Sequence, residues 1–269
     1  MTNIKEALAE KLTKKEINLL PTSFDAIGSI AIFNDFSKKL RRKEKMIAET
    51  LMKLNKNIKT VAKKTKKYSG KFRLAKIKVI AGRKTKETLH KENGVMLRLD
   101  VEQCYFSPRT ANERLRIAKL VKNDESILVF FSGVAPFPCV IAKNSKAKDI
   151  YGIELNKKAN EYGLENVKLN KLKNVKLFNG DVKKLVPRII GKFDRILLPL
   201  PKDAEKYLKL AITKIKKNGV IHLYRFASEN DFKKITKKYK TKFKSVKLIK
   251  CGQFAPGIYR ICLDLIKFK

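Results

Sequence analysis

The residues best spaced for chemistry run Leu128-Val-Phe-Phe-Ser-Gly-Val-Ala-Pro-Phe-Pro-Cys139, with Tyr151-Gly-Ile-Glu154 downstream. An apolar stretch ending in Ser132-Gly133 predicts a buried strand that runs into a small-residue turn, where backbone N–H groups approach a ligand closely. The helix that follows presents its positive N-terminal end at the same place. About twenty residues on, a second apolar strand closes on Glu154, placed as an acidic residue is placed to accept hydrogen bonds from ribose hydroxyls. Such a pair marks a nucleoside cofactor. The same residues also make an ordinary strand, loop and helix punctuated by Gly and Pro, so the local pattern leaves both readings open.

A site of this kind needs a sheet to carry it. After Asp124 the chain alternates: strand 126–131, helix 136–144, strand 150–154, helix 156–170, strand 174–178, helix 181–189, strand 193–198, helix 202–217, strand 219–224 and helix 229–240. That regularity requires a mainly parallel, doubly wound sheet with ligands at the carboxyl ends of its strands. Ser245–Cys251 and Ile258–Ile266 read as an antiparallel pair at the sheet edge.

Upstream the pattern differs. Residues 5–20 carry apolar positions at helical spacing, residues 24–33 read as a turn followed by a short strand, and residues 38–55 as a basic amphipathic helix. Short strands follow at 60–62, 75–80, 85–90 and 95–99, punctuated by Gly70, Gly82 and Asn93-Gly94. Ser107-Pro108 then predicts a helix start, Ser as N-cap and Pro at the first helical position, running to about Lys122. Residues 1–100 are therefore expected to form a small α+β domain, and residues 101–269 a larger α/β domain.

Lysine and arginine total 64 against 25 acidic residues, a formal charge of +39 spread along the whole chain. Thermophile ion-pair networks call for Glu to rise beside Lys, and acids are scarce here, so a polyanionic partner is the better account. Nucleic acid is the expected partner, bound through phosphate contacts and counterion release. No run of eighteen apolar residues occurs and the N-terminus lacks a signal-peptide core, so a soluble, cytoplasmic protein is expected. Cys104, Cys139, Cys251 and Cys262 share no metal-ligand spacing, and only His90 and His222 accompany them. No metal site and no disulfide are expected.

Several blocks, in order, resemble the archaeal and eukaryotic tRNA (guanine-N1)-methyltransferases that modify the guanosine at position 37, just 3′ of the anticodon. They are Phe24-Asp-Ala-Ile-Gly28, Thr88-Leu-His-Lys-Glu-Asn-Gly94, Tyr105-Phe-Ser-Pro-Arg-Thr-Ala-Asn-Glu-Arg114, Phe131-Ser-Gly-Val-Ala-Pro-Phe137 and Ala255-Pro-Gly-Ile-Tyr259. The resemblance implies a Rossmann-like class I methyltransferase domain, S-adenosyl-L-methionine as cofactor, and tRNA, through its anticodon arm, as partner. It implies cofactor contacts from Tyr105, Phe131, Ser132, Gly133, Val134, Glu154, Asp181 and Pro199. Asp181 reads equally as the N-cap of the next helix. The family's elbow-binding N-terminal domain is not recognisable, so a short form acting as a monomer is expected.

Guanine N1 carries a proton at neutral pH, so methylation there needs a base and a cation for charge developing on the neighbouring oxygen. By resemblance Glu113 matches the base and Arg73 the cation, with Tyr105, Arg109, Arg114 and Pro199 near the substrate. The residues alone allow Glu113 to be an exposed helix carboxylate paired with a lysine. Three positions depart from the family pattern: Val129 stands where an acid is expected, Ala135 replaces a glycine, and Pro199 replaces an asparagine. The last alters guanine recognition and is compatible with a second role, methylating a carbon of the tricyclic wyosine precursor. A non-catalytic RNA-binding protein on a methyltransferase scaffold is the alternative, and a methyltransferase for another RNA or a small molecule a third.

Overall fold

The computed structural model describes residues 4–21 and 23–268. The chain divides into two compact units, Met1–Lys91 with Leu97–Pro108, and Glu92–Met96 with Arg109–Lys269. The division does not fall at one point near residue 100. The hairpin tip Glu92–Met96 is tied into the second unit by hydrogen bonds of Asn93 with Ala111 and of Met96 with Asn170.

In the first unit the expected helix over 5–20 is two single turns, α1 (Ile4–Ala7) and α2 (Lys14–Ile17). Thr13 separates them, because its extended backbone and its capping box with Glu16 restart the helix. The segment at 24–33 is a hairpin of β1 (Phe24–Ile27) and β2 (Ile30–Phe33), not one strand after a turn. Gly28 makes the turn at φ +54, and a Cβ there would come within 2.4 Å of the Leu89 carbonyl oxygen. Its N–H donates to His90 Nδ1 at 3.1 Å, so two of the motif blocks meet at this point. A 3-10 turn over Lys38–Lys43 leads into α3 (Glu44–Leu54), whose Ala48 and Leu51 pack on Ala31, Phe33, Val61 and Ala81.

The sheet is completed by β3 (Thr60–Ser69) and β4 (Leu74–Gly82), in the order β1-β2-β3-β4. β3 extends well past the expected Ala62 because the run Lys63–Lys67, which has no apolar alternation, is paired along β4. β5 (Glu87–Glu92) and β6 (Val95–Asp100) pair through Asn93-Gly94, both at positive φ as a two-residue hairpin turn requires.

The second unit begins with α4 (Ala111–Leu120), entered through a 3-10 turn at Pro108–Thr110 where an α-helical start was expected. There follow β7 (Ser126–Phe130), α5 (Pro136–Asn144), β8 (Asp149–Glu154), α6 (Lys157–Leu169), β9 (Val175–Asn179), α7 (Val182–Leu185), β10 (Phe193–Leu198), α8 (Leu208–Lys214), β11 (Ile215–Ser228), α9 (Phe232–Lys240), β12 (Ser245–Ala255) and β13 (Ile258–Ile266). The seven strands lie in the order β12-β13-β11-β10-β7-β8-β9. From β11 to β9 the pairings are parallel, and β13 runs antiparallel to β11 and β12.

Two helices are shorter than their spacing predicts. α7 passes after one turn into a 3-10 turn containing Pro187, and α8 is preceded by a 3-10 turn over Ala204–Tyr207. β11 starts early at Ile215, and the shift from Phe193↔Ile215 to Arg195↔Val220 leaves a bulge around Asn218-Gly219. The chain winds from β7 out to β9, then crosses back to β10 and β11. The switch point therefore lies between β7 and β10, where such sheets bind ligands. Leu128, Phe130, Ile153, Ile196, Leu198, Leu223 and Leu263 fill the core beneath it.

Candidate active site

The loop after β7 is held in an unusual backbone shape. Phe131, Gly133 and Ala135 all have positive φ, and Ala135 sits in the left-handed region with its side chain buried. For non-glycine residues that shape costs roughly 1–3 kcal/mol each, so the surroundings must enforce it. Ser132 N–H donates to the Ile153 carbonyl at 2.9 Å, and Asn166 Nδ2 donates to the Val134 carbonyl at 3.0 Å. Gly152 lies so close beneath that a Cβ would be 3.0 Å from Ser132 Oγ.

Glu154 ties the loop to β8. Its Oε2 accepts from Gly133 N–H at 2.8 Å and its Oε1 from Asn156 N–H at 2.7 Å. Burial pushes its carboxyl up from the ordinary glutamate value, and the N–H donors of Asn156, Gly133 and Leu155 pull the other way. The residue expected at a ribose is thus also the organiser of the loop. Asn179 Nδ2 and Gly180 N–H both donate to the Glu154 carbonyl, which brings the end of β9 alongside. There Asp181 caps α7 by accepting from Lys183 N–H at 2.8 Å. The Phe131 ring meets Tyr207 edge-on at 4.8 Å between centroids.

This cradle fits a nucleoside cofactor. Ser132 Oγ is buried and has no hydrogen-bond partner among the described residues, a polar atom that a ligand hydroxyl or amine would satisfy. With about four lone-pair sites, the Glu154 carboxylate keeps acceptor capacity beyond the N–H donors named above. Val129, one of the departures, is fully buried within β7 between Gly152 and Leu197.

Pro199 follows β10 in a tight turn closed by Leu200 N–H to the Leu198 carbonyl at 2.9 Å. Beside it opens a pocket of about 250 Å³ at the carboxyl ends of β10 and β11, lined by Pro201, Glu205, Tyr224, Arg225 and Phe226 among others. Tyr224, among the lining residues, is also a partner of Glu113. Its hydroxyl donates to Glu113 Oε1 at 2.6 Å, while Arg116 grips both oxygens, Nε on Oε2 at 2.7 Å and Nη2 on Oε1 at 2.8 Å. Glu113 is buried, not the exposed helix carboxylate that its residue type allows.

Arg116 also donates to Asp264, and Asp264 meets His222 Nδ1 at 2.6 Å. Arg195 Nη1 lies 2.6 Å from His222 Nε2 and pairs with Glu125 through two bonds. An arginine only donates, so Nε2 must accept and the imidazole proton sits on Nδ1, facing Asp264. Burial, reinforced by Arg195 and Arg116, outweighs Asp264 and holds His222 below its ordinary value. Burial opposes the Asp264 charge, but His222 and Arg116 outweigh it and keep this carboxyl well below the usual range. His222, Cys262 and Asp264 bring one potential ligand atom each within 4.8 Å of one another, a grouping the sequence spacing hides. With two guanidiniums against it, the group works as a hydrogen-bond cluster.

The remaining expected residues are placed as follows. Arg114 is buried, its guanidinium forked onto Glu92 and reaching Thr110, so it fastens the hairpin tip to α4. Arg109 is exposed on the 3-10 turn. Arg73 and Tyr105 belong to the first unit and lie together, guanidinium to ring centroid 5.0 Å. Tyr68 joins them edge-on at 5.2 Å, with Lys64 Nζ 4.0 Å above its ring. Tyr68, Arg116, Tyr224, His222 and Asp264 were not among the expected site residues. For Arg116 a signal exists, since the spacing of three from Glu113 puts both on one helix face.

The comparisons with known proteins agree in direction. Residues 88–249 match the TRM5/TYW2 methyltransferase domain, and residues 4–85 the TYW2 N-terminal domain. The tRNA (guanine(37)-N(1))-methyltransferase Trm5b of Pyrococcus abyssi is 38% identical over 253 residues, 91% of this chain and 74% of that one. The tRNA (guanine(37)-N(1))/4-demethylwyosine(37)-methyltransferase Taw22 of Nanoarchaeum equitans is 33% identical over 270 residues, 80% and 87% of the two chains. The tRNA(Phe) (4-demethylwyosine(37)-C(7)) aminocarboxypropyltransferase of Pyrococcus horikoshii is 30% identical over 275 residues, 99% and 96%. Among solved structures, aTrm5 in complex with tRNALeu superimposes with a TM-score of 0.85 at 31% identity, covering 100% of this chain and 78% of the other. The chain belongs to the TRM5/TYW2 methyltransferase family.

Proposed function

We propose that the protein is an S-adenosylmethionine-dependent tRNA methyltransferase acting at guanosine 37, on N1 of guanine and on C7 of the tricyclic wyosine precursor. The observation that carries this reading is Glu113, a buried carboxylate on α4 held in a fixed orientation by Arg116 and the Tyr224 hydroxyl. The match along residues 88–249 supports it. Ser132, Gly133, Val134 and Glu154 would hold the adenosine half of the cofactor, with Phe131 and Asp181 at its edges. When bound, the cofactor supplies an electrophilic methyl on a sulfonium. Glu113 would take the N1 proton and so leave that nitrogen's lone pair available for the methyl group. Arg73 balances charge growing on the guanine oxygen, and Tyr105 and Arg109 hold the nucleotide.

Basic residues on both units, the anticodon arm as the main contact and action as a monomer complete the proposal. No helix among the described residues is long and apolar enough to cross a membrane. The non-catalytic alternative gains no support from the relatives, which are named as transferases.

A second reading has a specific observation behind it. The N-terminal match is to the TYW2 domain, and the aminocarboxypropyltransferase relative aligns over nearly its whole length. Nucleoside mass spectrometry after reaction with unmodified tRNA and with tRNA carrying the tricyclic intermediate decides. A methyl increment on either substrate upholds methyl transfer. The larger aminocarboxypropyl increment on the tricyclic base alone overturns it in favour of the second reading, and no product on either overturns both.

A further inference from the structure

Glu113 is restrained far more than a surface carboxylate. An unbroken run of hydrogen bonds leads from it through Arg116, Asp264, His222 and Arg195 to Glu125, crossing α4, β13, β11 and β10. We propose that Arg116 and Tyr224 are positioning residues for Glu113, fixing the plane of its carboxylate for transfer of the substrate proton. This rests on the reading of Glu113 as the base.

The geometry carries the argument. A carboxylate offers about four lone-pair sites. At Oε1 two are filled, by Arg116 Nη2 and the Tyr224 hydroxyl, Oε2 accepts from Arg116 Nε, and the Cys251 thiol also donates to the carboxylate. The planar fork of the guanidinium sets the carboxylate plane, which a lysine cannot do. Asp264 holds the other edge of that guanidinium at 2.8 and 3.3 Å, and the Nδ1–H of His222 holds Asp264. The groups facing Glu113 are Arg116 on α4, Tyr224 on β11, Cys251 on β12, and Cys262 and Asp264 on β13. Cys251 and Cys262 are neutral thiols, burial pushing both up from the ordinary cysteine value. Tyr224 is pushed well up by burial first and then by Cys262 and Glu113, so it remains a donor. Arg116 supplies positive charge directly against the carboxylate; burial opposes that charge, but Glu113 and Asp264 outweigh it and raise its value.

The test is single-turnover methylation of tRNA with saturating S-adenosylmethionine, with tRNA affinity measured separately, for Arg116→Met, Arg116→Lys, Tyr224→Phe and Glu113→Gln. Arg116→Met is expected to lower the rate about 10- to 100-fold, the usual consequence of misaligning a reacting group, with tRNA affinity unchanged. Arg116→Lys should restore only part of the rate. Tyr224→Phe, which removes one hydroxyl and keeps the ring, should lose about tenfold. Should Arg116→Met fail to fold, Arg116→Lys and Tyr224→Phe decide. Wild-type rates in these two, with Glu113→Gln inactive, overturn the positioning proposal and leave the base in place. A Glu113→Gln enzyme as fast as wild type overturns the base assignment, and this proposal with it.

Discussion

Glu154 is expected to act twice, once on the loop and once on the ribose, and the two contributions can be separated. Replacing it by Gln leaves one carbonyl oxygen for two backbone donors, Gly133 N–H and Asn156 N–H, now bound at 2.8 and 2.7 Å. One of these donors loses its partner, which costs about 1–3 kcal/mol, and hydrogen bonds to a charged group are worth about 1.5–3 kcal/mol each. Thermal stability should therefore fall, and affinity for S-adenosylhomocysteine should weaken by roughly 10- to 150-fold, since 1.4 kcal/mol is tenfold. Calorimetry with S-adenosylhomocysteine and with its 2′,3′-dideoxy analogue, on wild type and Glu154→Gln, forms a cycle that isolates the ribose contact. A coupling of about 1.5–3 kcal/mol is expected. Losses that add within about 0.5 kcal/mol would refute the ribose role and leave Glu154 as a loop organiser only. The pH dependence has a definite sign. Because burial raises this carboxyl, it protonates above the ordinary glutamate range, and affinity should drop as pH falls through that raised value. The dideoxy analogue should feel less of the drop.

Other outcomes follow from the same geometry. Arg114→Met would remove the guanidinium that holds both oxygens of the buried Glu92, so denaturant unfolding should show a loss of about 3–5 kcal/mol, with Arg114→Met combined with Glu92→Leu recovering most of it; a single-variant loss under about 1 kcal/mol would make Arg114 a substrate contact and little else. With +39 formal charge, tRNA affinity should fall linearly on a log–log plot against salt, the slope counting the phosphates neutralised, and an isolated anticodon stem-loop should keep much of the affinity. A flat response, or binding of full-length tRNA only, contradicts one half or the other. Pro199→Asn should shift the product ratio toward simple guanosine, measured by competition between the two tRNA substrates; an unchanged ratio makes Pro199 a turn former with no part in selection.

The α/β alternation was legible because strands buried on both faces are continuous apolar runs, and β10 and α5 fall where those runs predict them. β3 was not, since Lys63 to Lys67 carry no alternation and the strand exists by pairing with β4. The hairpin β1–β2 was hidden for a different reason: its turn is dictated by the close approach of Thr88 and Leu89 to Gly28, a contact between distant segments. The cofactor loop was readable from its small residues and the acid that follows. The network behind Glu113 was not, because His222 and Tyr224 face Asp264 and Cys262 only once the antiparallel register of β11 and β13 is known.

The departures from the family pattern are tolerable for local reasons. Val129 points from mid-strand into a packed interior and Ala135 is buried, while the contacts that shape the loop come from backbone N–H groups at Ser132 and Gly133. A change of side chain at Val129 therefore leaves those donors in place. At Ala135 the methyl adds left-handed strain of roughly 1–2 kcal/mol, held in place by the Ala135–Cys139 and Ser132–Ala135 backbone bonds. Pro199 differs from both, because an asparagine there would bring a side-chain donor and acceptor to the mouth of the pocket and a proline brings neither. Of the three departures it alone removes side-chain hydrogen-bonding capacity beside the pocket, so altered substrate choice is to be sought there and not in the cofactor loop.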